Sequence, residues 1–159
     1  MAVIATGNRD DALEIVQDAM FKLVRKYADK SQEDWGPLFT RIVQSTIRDW
    51  YRRNKIRNGL RLFFPDRKET ESVDAMDEFE HKAISQPDHE FDHSQAMKAL
   101  DTALNELPLR QQQAFLLREW QGLDVKQTAS AMGCSQGSVK THLSRAIANL
   151  KDRLGDYRP

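Results

Sequence analysis

The chain has 159 residues, with 24 Lys/Arg, 24 Asp/Glu and one cysteine. That length suits one ordinary domain or two small ones. A single cysteine excludes an internal disulfide and fits a reducing cytosol. No apolar run approaches the ~20 residues of a membrane span, and Met1 to Ala5 are too short for a signal peptide, so no membrane insertion and a cytoplasmic location are expected. The balanced charge conceals an uneven distribution: residues 1–61 carry 12 basic and 8 acidic side chains, 62–94 carry 3 and 10, and 95–159 carry 9 and 6. Two mildly basic blocks thus flank an acidic segment, and the overall pI masks the signal that nucleic-acid binding requires.

The first predicted element is an amphipathic helix over 10–27. At ~100° per residue, Ala12, Val16, Ala19, Met20, Leu23 and Tyr27 share one stripe. Asp10, Glu14, Gln17, Asp18, Arg25 and Phe21 lie opposite. A Phe amid a polar face fits either a protein partner or packing against a further helix.

A break is expected at Asp29–Pro37, then a helix from Leu38 to Arg57. Its apolar side is Leu38, Phe39, Ile42, Val43, Thr46 and Trp50. Arg41, Arg48, Arg52 and Lys55 line a flank, Arg53 and Arg57 add charge, and Trp50 and Tyr51 interleave. Basic residues beside aromatics suit phosphate contact and base stacking. From Arg48 to Arg61 there are six basic residues and one acidic residue, which favours nucleic acid over a merely solvated face.

Residues 62–94 are polar and acidic, and their composition predicts a flexible linker. Within them, His89, Glu90 and His93 match H-E-x-x-H, a zinc-hydrolase pattern. The stretch follows Pro87 and shows no third ligand, so a solvated linker is the preferred reading and neither metal nor cofactor is assigned.

In the last block, helices are expected over 94–104 and 109–120, with Pro108 at a helix start and Gly122 at an end. Leu109, Leu116 and Trp120 are read as one buried stripe, and Arg118 as the polar side. Asp124 and Gln127 form a capping box for the next helix, Gly133 ends it, and Ser135 caps another. On that last helix Val139, Leu143, Ala146, Ile147, Leu150 and Leu154 make the apolar stripe. Gly137, Ser138, Thr141, Ser144 and Arg145 fall opposite, with Lys140 and His142 at the margins. Two helices around a tight turn, the second with a small, hydrogen-bonding and basic face, form a helix-turn-helix suited to the major groove. An ordinary helical hairpin has the same outline. The class is all-α: two small helical domains at 1–61 and 95–159 joined by a flexible acidic linker at 62–94, the second containing the helix-turn-helix.

The segment ALNELPLRQQQAFLLREWQGLDVKQTASAMGCSQGSVKTHLSRAIANLKDRL resembles the promoter-binding C-terminal domain of extracytoplasmic-function sigma factors, specificity subunits of bacterial RNA polymerase. Leu107–Pro108, Gly122, Ala129, Gly133, Gly137–Ser138–Val139–Lys140, Arg145–Ala146 and Leu150 carry the likeness. The first block is similar through Ala12, Gln17–Asp18, Arg41–Ile42, Asp49 and Arg52–Arg53. The resemblance covers 6–61 and 95–154. It implies that Glu14, Gln17, Asp18 and Phe21 dock on the polymerase clamp. It also implies that Arg41, Arg48, Arg52, Arg53, Lys55 and Arg57 serve the −10 element, and that Ser138, Lys140, Thr141, Ser144 and Arg145 serve the −35 element. The partners implied are core RNA polymerase, promoter DNA and an anti-sigma factor, with catalysis belonging to the polymerase and not to this chain. Three departures stand out: the chain starts inside the family's first helix, Leu38 replaces a frequent Trp, and Ser45 replaces a frequent Asn. A truncated start is expected to destabilise an already small domain. Two competing readings remain: a helix-turn-helix regulator acting without polymerase, and a zinc hydrolase at His89 and His93.

Overall fold

The computed structural model describes residues 1–59 and 95–155, and these are helical with no strand among them. Seven α-helices follow in order: α1 (Ala2–Thr6), α2 (Arg9–Tyr27), α3 (Gln32–Gly59), α4 (Gln95–Asn105), α5 (Leu109–Phe115), α6 (Val125–Met132) and α7 (Gln136–Leu154). A π-helical turn (Leu116–Trp120) extends α5.

Helix α2 begins one residue earlier than expected because Asn8 caps it, its side-chain oxygen accepting from the Asp10 and Asp11 amides at 2.7 and 3.4 Å. That cap satisfies two of the donors every helix start leaves open. The buried stripe is Ala12, Ile15, Ala19 and Leu23. Met20, assigned to the core from the sequence, is instead exposed, because the packed face is centred on Ile15 and Ala19.

Helix α3 starts six residues before the expected Leu38 and takes Pro37 inside it. The earlier start is anchored twice: the Ser31 hydroxyl donates to Asp34 Oδ2 at 2.9 Å, and Trp35 Nε1 donates to the Tyr27 carbonyl at 3.2 Å. Pro37 lies in the second helical turn, where it has no N–H to donate to the Glu33 carbonyl. The connection from α2 is therefore Ala28–Ser31, not the longer break through Pro37.

The C-terminal helices follow their caps closely. Asp124 Oδ1 accepts from the Gln127 amide at 2.7 Å, and Gln127 Oε1 accepts from the Asp124 amide at 2.9 Å, a complete capping box. Gly133 adopts φ 65°, a left-handed conformation that ends α6. Ser135 Oγ accepts from the Ser138 amide at 3.1 Å and opens α7.

Two expectations in this block are corrected. Trp120 is 64% exposed and not part of the buried stripe. In the π turn, the Gln121 amide donates to the Leu116 carbonyl, five residues back, and the extra residue rotates everything beyond it by ~100°. His142, placed at the margin of α7, is buried at 3% exposure, and the core stripe is Val139, His142, Ala146 and Leu150, with Leu143 and Ile147 half-buried.

Helices α1–α3 form one block and α4–α7 another, and the two are in contact. Leu109 of α5 belongs to the cluster of Ala12, Ile15, Ala19, Val43 and Ile47. Met1 and Ile4 pack against the C-terminal cluster of Leu104, Leu107, Leu116, Ala146 and Leu150. Replacing Asp124 by Ala removes the α6 cap and is expected to cost about 0.5–2 kcal/mol of stability, read as a lower denaturant midpoint. An unchanged midpoint would mean the box contributes nothing to the folded state.

Candidate nucleic-acid and polymerase interfaces

The exposed side of α2 gathers the residues proposed for protein docking. Glu14, Gln17 and Phe21 are exposed, Phe21 at 77%, and Asp18 is half-buried beside Lys22, 2.9 Å away. Leu13, Met20 and Val24 are exposed on the same helix. At ~100° per residue, 13, 17, 20, 21 and 24 form one continuous stripe. Four apolar side chains on a solvent face exceed the scattered exposure normal for a surface and make this face a candidate docking surface. The sequence pointed to Phe21 alone. Leu13 and Val24 were missed because they fall between the apolar stripe and the polar face drawn from the sequence.

Helix α7 presents the other candidate face. Lys140, Thr141, Ser144 and Arg145 are exposed, while Val139, His142 and Ala146 hold the helix to the core behind them. Ser138 is half-buried, and its amide and hydroxyl are both engaged by Ser135, so it serves the cap first. The Thr141 hydroxyl donates to the Gly137 carbonyl at 3.1 Å. Lys140 and Arg145 therefore supply the positive charge of this face.

The basic residues of α3 divide. Arg41, Arg52 and Arg53 are exposed, Arg52 lying 3.1 Å from Asp49. Lys55 and Arg57 fall on the last turns of α3, and their side chains lie outside the described residues. Arg48 points elsewhere: its Nη1 donates to the Met132 carbonyl at 2.7 Å, across to the other block. Arg110, 6% exposed on α5, donates to the same oxygen at 2.8 Å. Burial first, and then the Arg110 charge, lower the Arg48 pKa to about 10, which leaves it cationic at neutral pH. Between α2 and α3 runs an open groove of about 630 Å³, lined by Phe21, Lys22, Arg25, Arg41, Ile42 and Arg48 among others, with Gly133 of the helix-turn-helix closing one side.

Cys134 stands beside these arginines. Burial pushes its thiol pKa up, partly opposed by Arg110 and Arg48. His89, Glu90 and His93 lie outside the described residues, and among the described residues no group of His, Cys, Asp or Glu is arranged to hold a metal. No helix among the described residues is long and apolar enough to cross a membrane.

Comparisons with known proteins show what the chain is similar to. Residues 97–150 match the family "Sigma-70, region 4", a span that runs from α4 through most of α7. The RNA polymerase sigma-E factor of Streptomyces antibioticus is 26% identical over 147 residues, covering 91% of this chain and 71% of that protein. The RNA polymerase sigma factor SigV of Bacillus subtilis is 27% identical over 147 residues, covering 92% of this chain and 78% of that one. Over both helical blocks the chain is similar to extracytoplasmic-function sigma factors. The alignments run through both helical blocks, so a free-standing helix-turn-helix regulator does not account for them. The crystal structure of the sigma factor RpoE with the anti-sigma factor NepR from Bartonella quintana shares the fold. Its TM-score is 0.64 at 21% identity, over 99% of this chain and 89% of that one.

The raised thiol pKa of Cys134 predicts slow alkylation at neutral pH relative to a free cysteine, because the thiolate is the nucleophile. A rate equal to or above that of the free amino acid would contradict the environment described for this turn.

Proposed function

We propose that this chain is a promoter-specificity subunit that binds bacterial core RNA polymerase and brings it to particular promoters. The observation that carries the reading is the pairing of two unlike exposed faces on one sigma-factor chain. An apolar stripe with carboxylates lies on α2, and a small, basic, hydrogen-bonding face lies on α7. The first suits a protein partner and the second suits a DNA groove.

In this reading residues 1–61 form the domain that docks on polymerase and attends to the −10 element, 62–94 the linker, and 95–159 the domain that reads the −35 element. Glu14, Gln17, Asp18 and Phe21 serve docking, joined by Leu13, Met20 and Val24. Arg41, Arg52 and Arg53 on the exposed side of α3 take phosphates near the −10 element, with Lys55 and Arg57 extending the run. The open groove beside Phe21 and Arg41 offers cations and an aromatic face to a single strand. Lys140 and Arg145 reach bases or flanking phosphates in the major groove, with Thr141, Ser144 and Ser138 as hydrogen-bonding neighbours. Bond making belongs to the polymerase, and the chain acts in the cytoplasm. An anti-sigma factor is an expected partner, in keeping with the NepR complex of the Bartonella protein.

Separate substitutions test the two faces. The double replacement Lys140→Ala with Arg145→Ala is expected to weaken promoter binding by the holoenzyme and to flatten its log K against log salt slope by ~0.9 for each phosphate no longer neutralised. Association with polymerase should be unchanged. The pair Asp18→Ala and Phe21→Ala should do the opposite, raising the Kd for polymerase at least tenfold, equivalent to about 1.4 kcal/mol. Promoter binding that survives the first pair, or polymerase association that survives the second, removes the corresponding face from the account.

A further inference from the structure

Helix α2 turns three different sides to its surroundings. Ala12, Ile15, Ala19 and Leu23 face the core, and Leu13, Met20 and Val24 face solvent. At ~100° per residue, Phe21, Arg25, Asp18 and Lys22 fall in succession on a third sector. These four line the open groove of about 630 Å³ that α2 shares with α3. That volume lies within the roughly 300–1,000 Å³ of sites that hold a small ligand. The polar groups of the groove are unequally committed. Lys22 Nζ stands 2.9 Å from Asp18 Oδ2 and donates to the Thr46 hydroxyl at 3.3 Å. Thr46 is fully buried on α3, so the ammonium is held against the wall and keeps one of its three protons for a ligand. Arg48 also lines the groove, but its Nη1 is given to the Met132 carbonyl. Arg25, Lys26 and Arg41 are exposed and make no hydrogen bond or ion pair with other described residues.

Two departures from the resembled family meet in the same place, for Leu38 and Ser45 both line this groove. The Ser45 hydroxyl donates to the Ile42 carbonyl at 2.8 Å, so the side chain shows an oxygen and has no proton left to offer. An amide at 45 would present donor and acceptor together, and an indole at 38 would fill the wall. With Leu38 and Ser45 the groove keeps its breadth, and its uncommitted hydrogen-bonding groups are mostly cationic donors. A nucleobase that suits such a lining presents neighbouring acceptors. Guanine does, with O6 and N7 side by side, and Arg or Lys on that edge is the commonest specific base contact. Adenine sets an amino group beside N7, cytosine offers an amino group, and thymine sets a methyl group beside O4. Each of these leaves one arm of a guanidinium fork unpaired or opposed.

We propose that the groove between α2 and α3 is a guanine pocket for one unpaired nucleotide of the promoter strand. This inference rests on the reading above, in which a single strand lies beside Phe21 and Arg41. The base rests on the exposed ring of Phe21 on α2 and meets α3 across the groove, where the Arg41 fork takes O6 and N7. Lys22, tied to Asp18 and Thr46, neutralises the neighbouring phosphate. The aromatic face holds any base, and Arg41 sets the preference for one. Arg41 is therefore the specificity-determining residue of this groove, and Lys22 adds affinity without sequence preference.

The test is a fluorescence-anisotropy titration of the full-length chain at low salt. The probes are short labelled oligothymidine strands that carry guanine, adenine, cytosine or thymine at one central position. The guanine strand is expected to bind about tenfold more tightly than the other three, equivalent to ~1.4 kcal/mol. A strand with 7-deazaguanine, which lacks the N7 acceptor, should lose most of that gain. A strand with hypoxanthine, which lacks only the amino group of guanine, should keep it. Arg41→Met should erase the preference while every strand still binds. Lys22→Met should weaken all strands alike and leave the preference, with helical content unchanged in both variants. Equal binding of the four bases, a preference that survives loss of N7 or Arg41→Met, or no binding of any strand would each overturn the guanine pocket. Polymerase association, measured separately, continues to test the functional reading in all of those cases. A guanine preference lost in Arg41→Met, in a chain that polymerase ignores, would keep the pocket and remove the functional reading.

Discussion

The Met132 carbonyl is the point on which the arrangement turns. It closes α6, where the backbone has run out of amide donors and the helix dipole leaves partial negative charge. Two guanidinium groups meet it, Arg110 from α5 beneath the helix-turn-helix and Arg48 from α3 of the other block. Arg110 fixes the turn to its own core, and Arg48 ties that turn to the N-terminal block. Charged donors make the stronger class of hydrogen bond, at roughly 1.5–3 kcal/mol each. Two cations crowded on one oxygen also repel, which is part of why Arg48 titrates near 10.

The surfaces left open by this packing differ in character. The α7 face is small and basic, backed by Val139, His142 and Ala146, so its outward residues stand on a rigid support. The α2 stripe is apolar and rimmed by Glu14, Gln17 and Asp18. A groove-reading helix gains by having few bulky side chains, whereas a protein-docking helix gains by having several. One chain holding both suits the proposed role of bringing an enzyme to an address on DNA.

Much of this was legible in the sequence wherever a local rule decided it. The Asp124–Gln127 box, the left-handed Gly133 and the Ser135 cap depend on neighbours three or four residues away, and all three form as read. The exposure of Lys140, Thr141, Ser144 and Arg145 was legible from helical periodicity. What escaped depends on tertiary context. The π turn that throws Trp120 outward has no signature in LLREW. Pro37 suggested a helix start, but the anchors at Ser31 and Trp35 overrode it. Gln111, Gln112 and Gln113 are buried, which a run of three polar side chains does not announce. Arg48 read as one more member of a basic flank, because nothing local distinguishes an arginine facing phosphate from one facing a carbonyl 84 residues away. The contact between the blocks was therefore invisible to periodicity, while each block by itself was not.

The measurement that bears most directly on the account is transcription by core bacterial RNA polymerase with and without this chain, on a library of genomic fragments, with start sites mapped. The account predicts new start sites that appear only with the chain, each preceded by shared −35 and −10 sequences. Their use should depend on Lys140 and Arg145 for the first sequence and on the α3 arginines for the second. Polymerase that takes up the folded chain yet starts at no new site, or a folded chain that polymerase ignores, would contradict it.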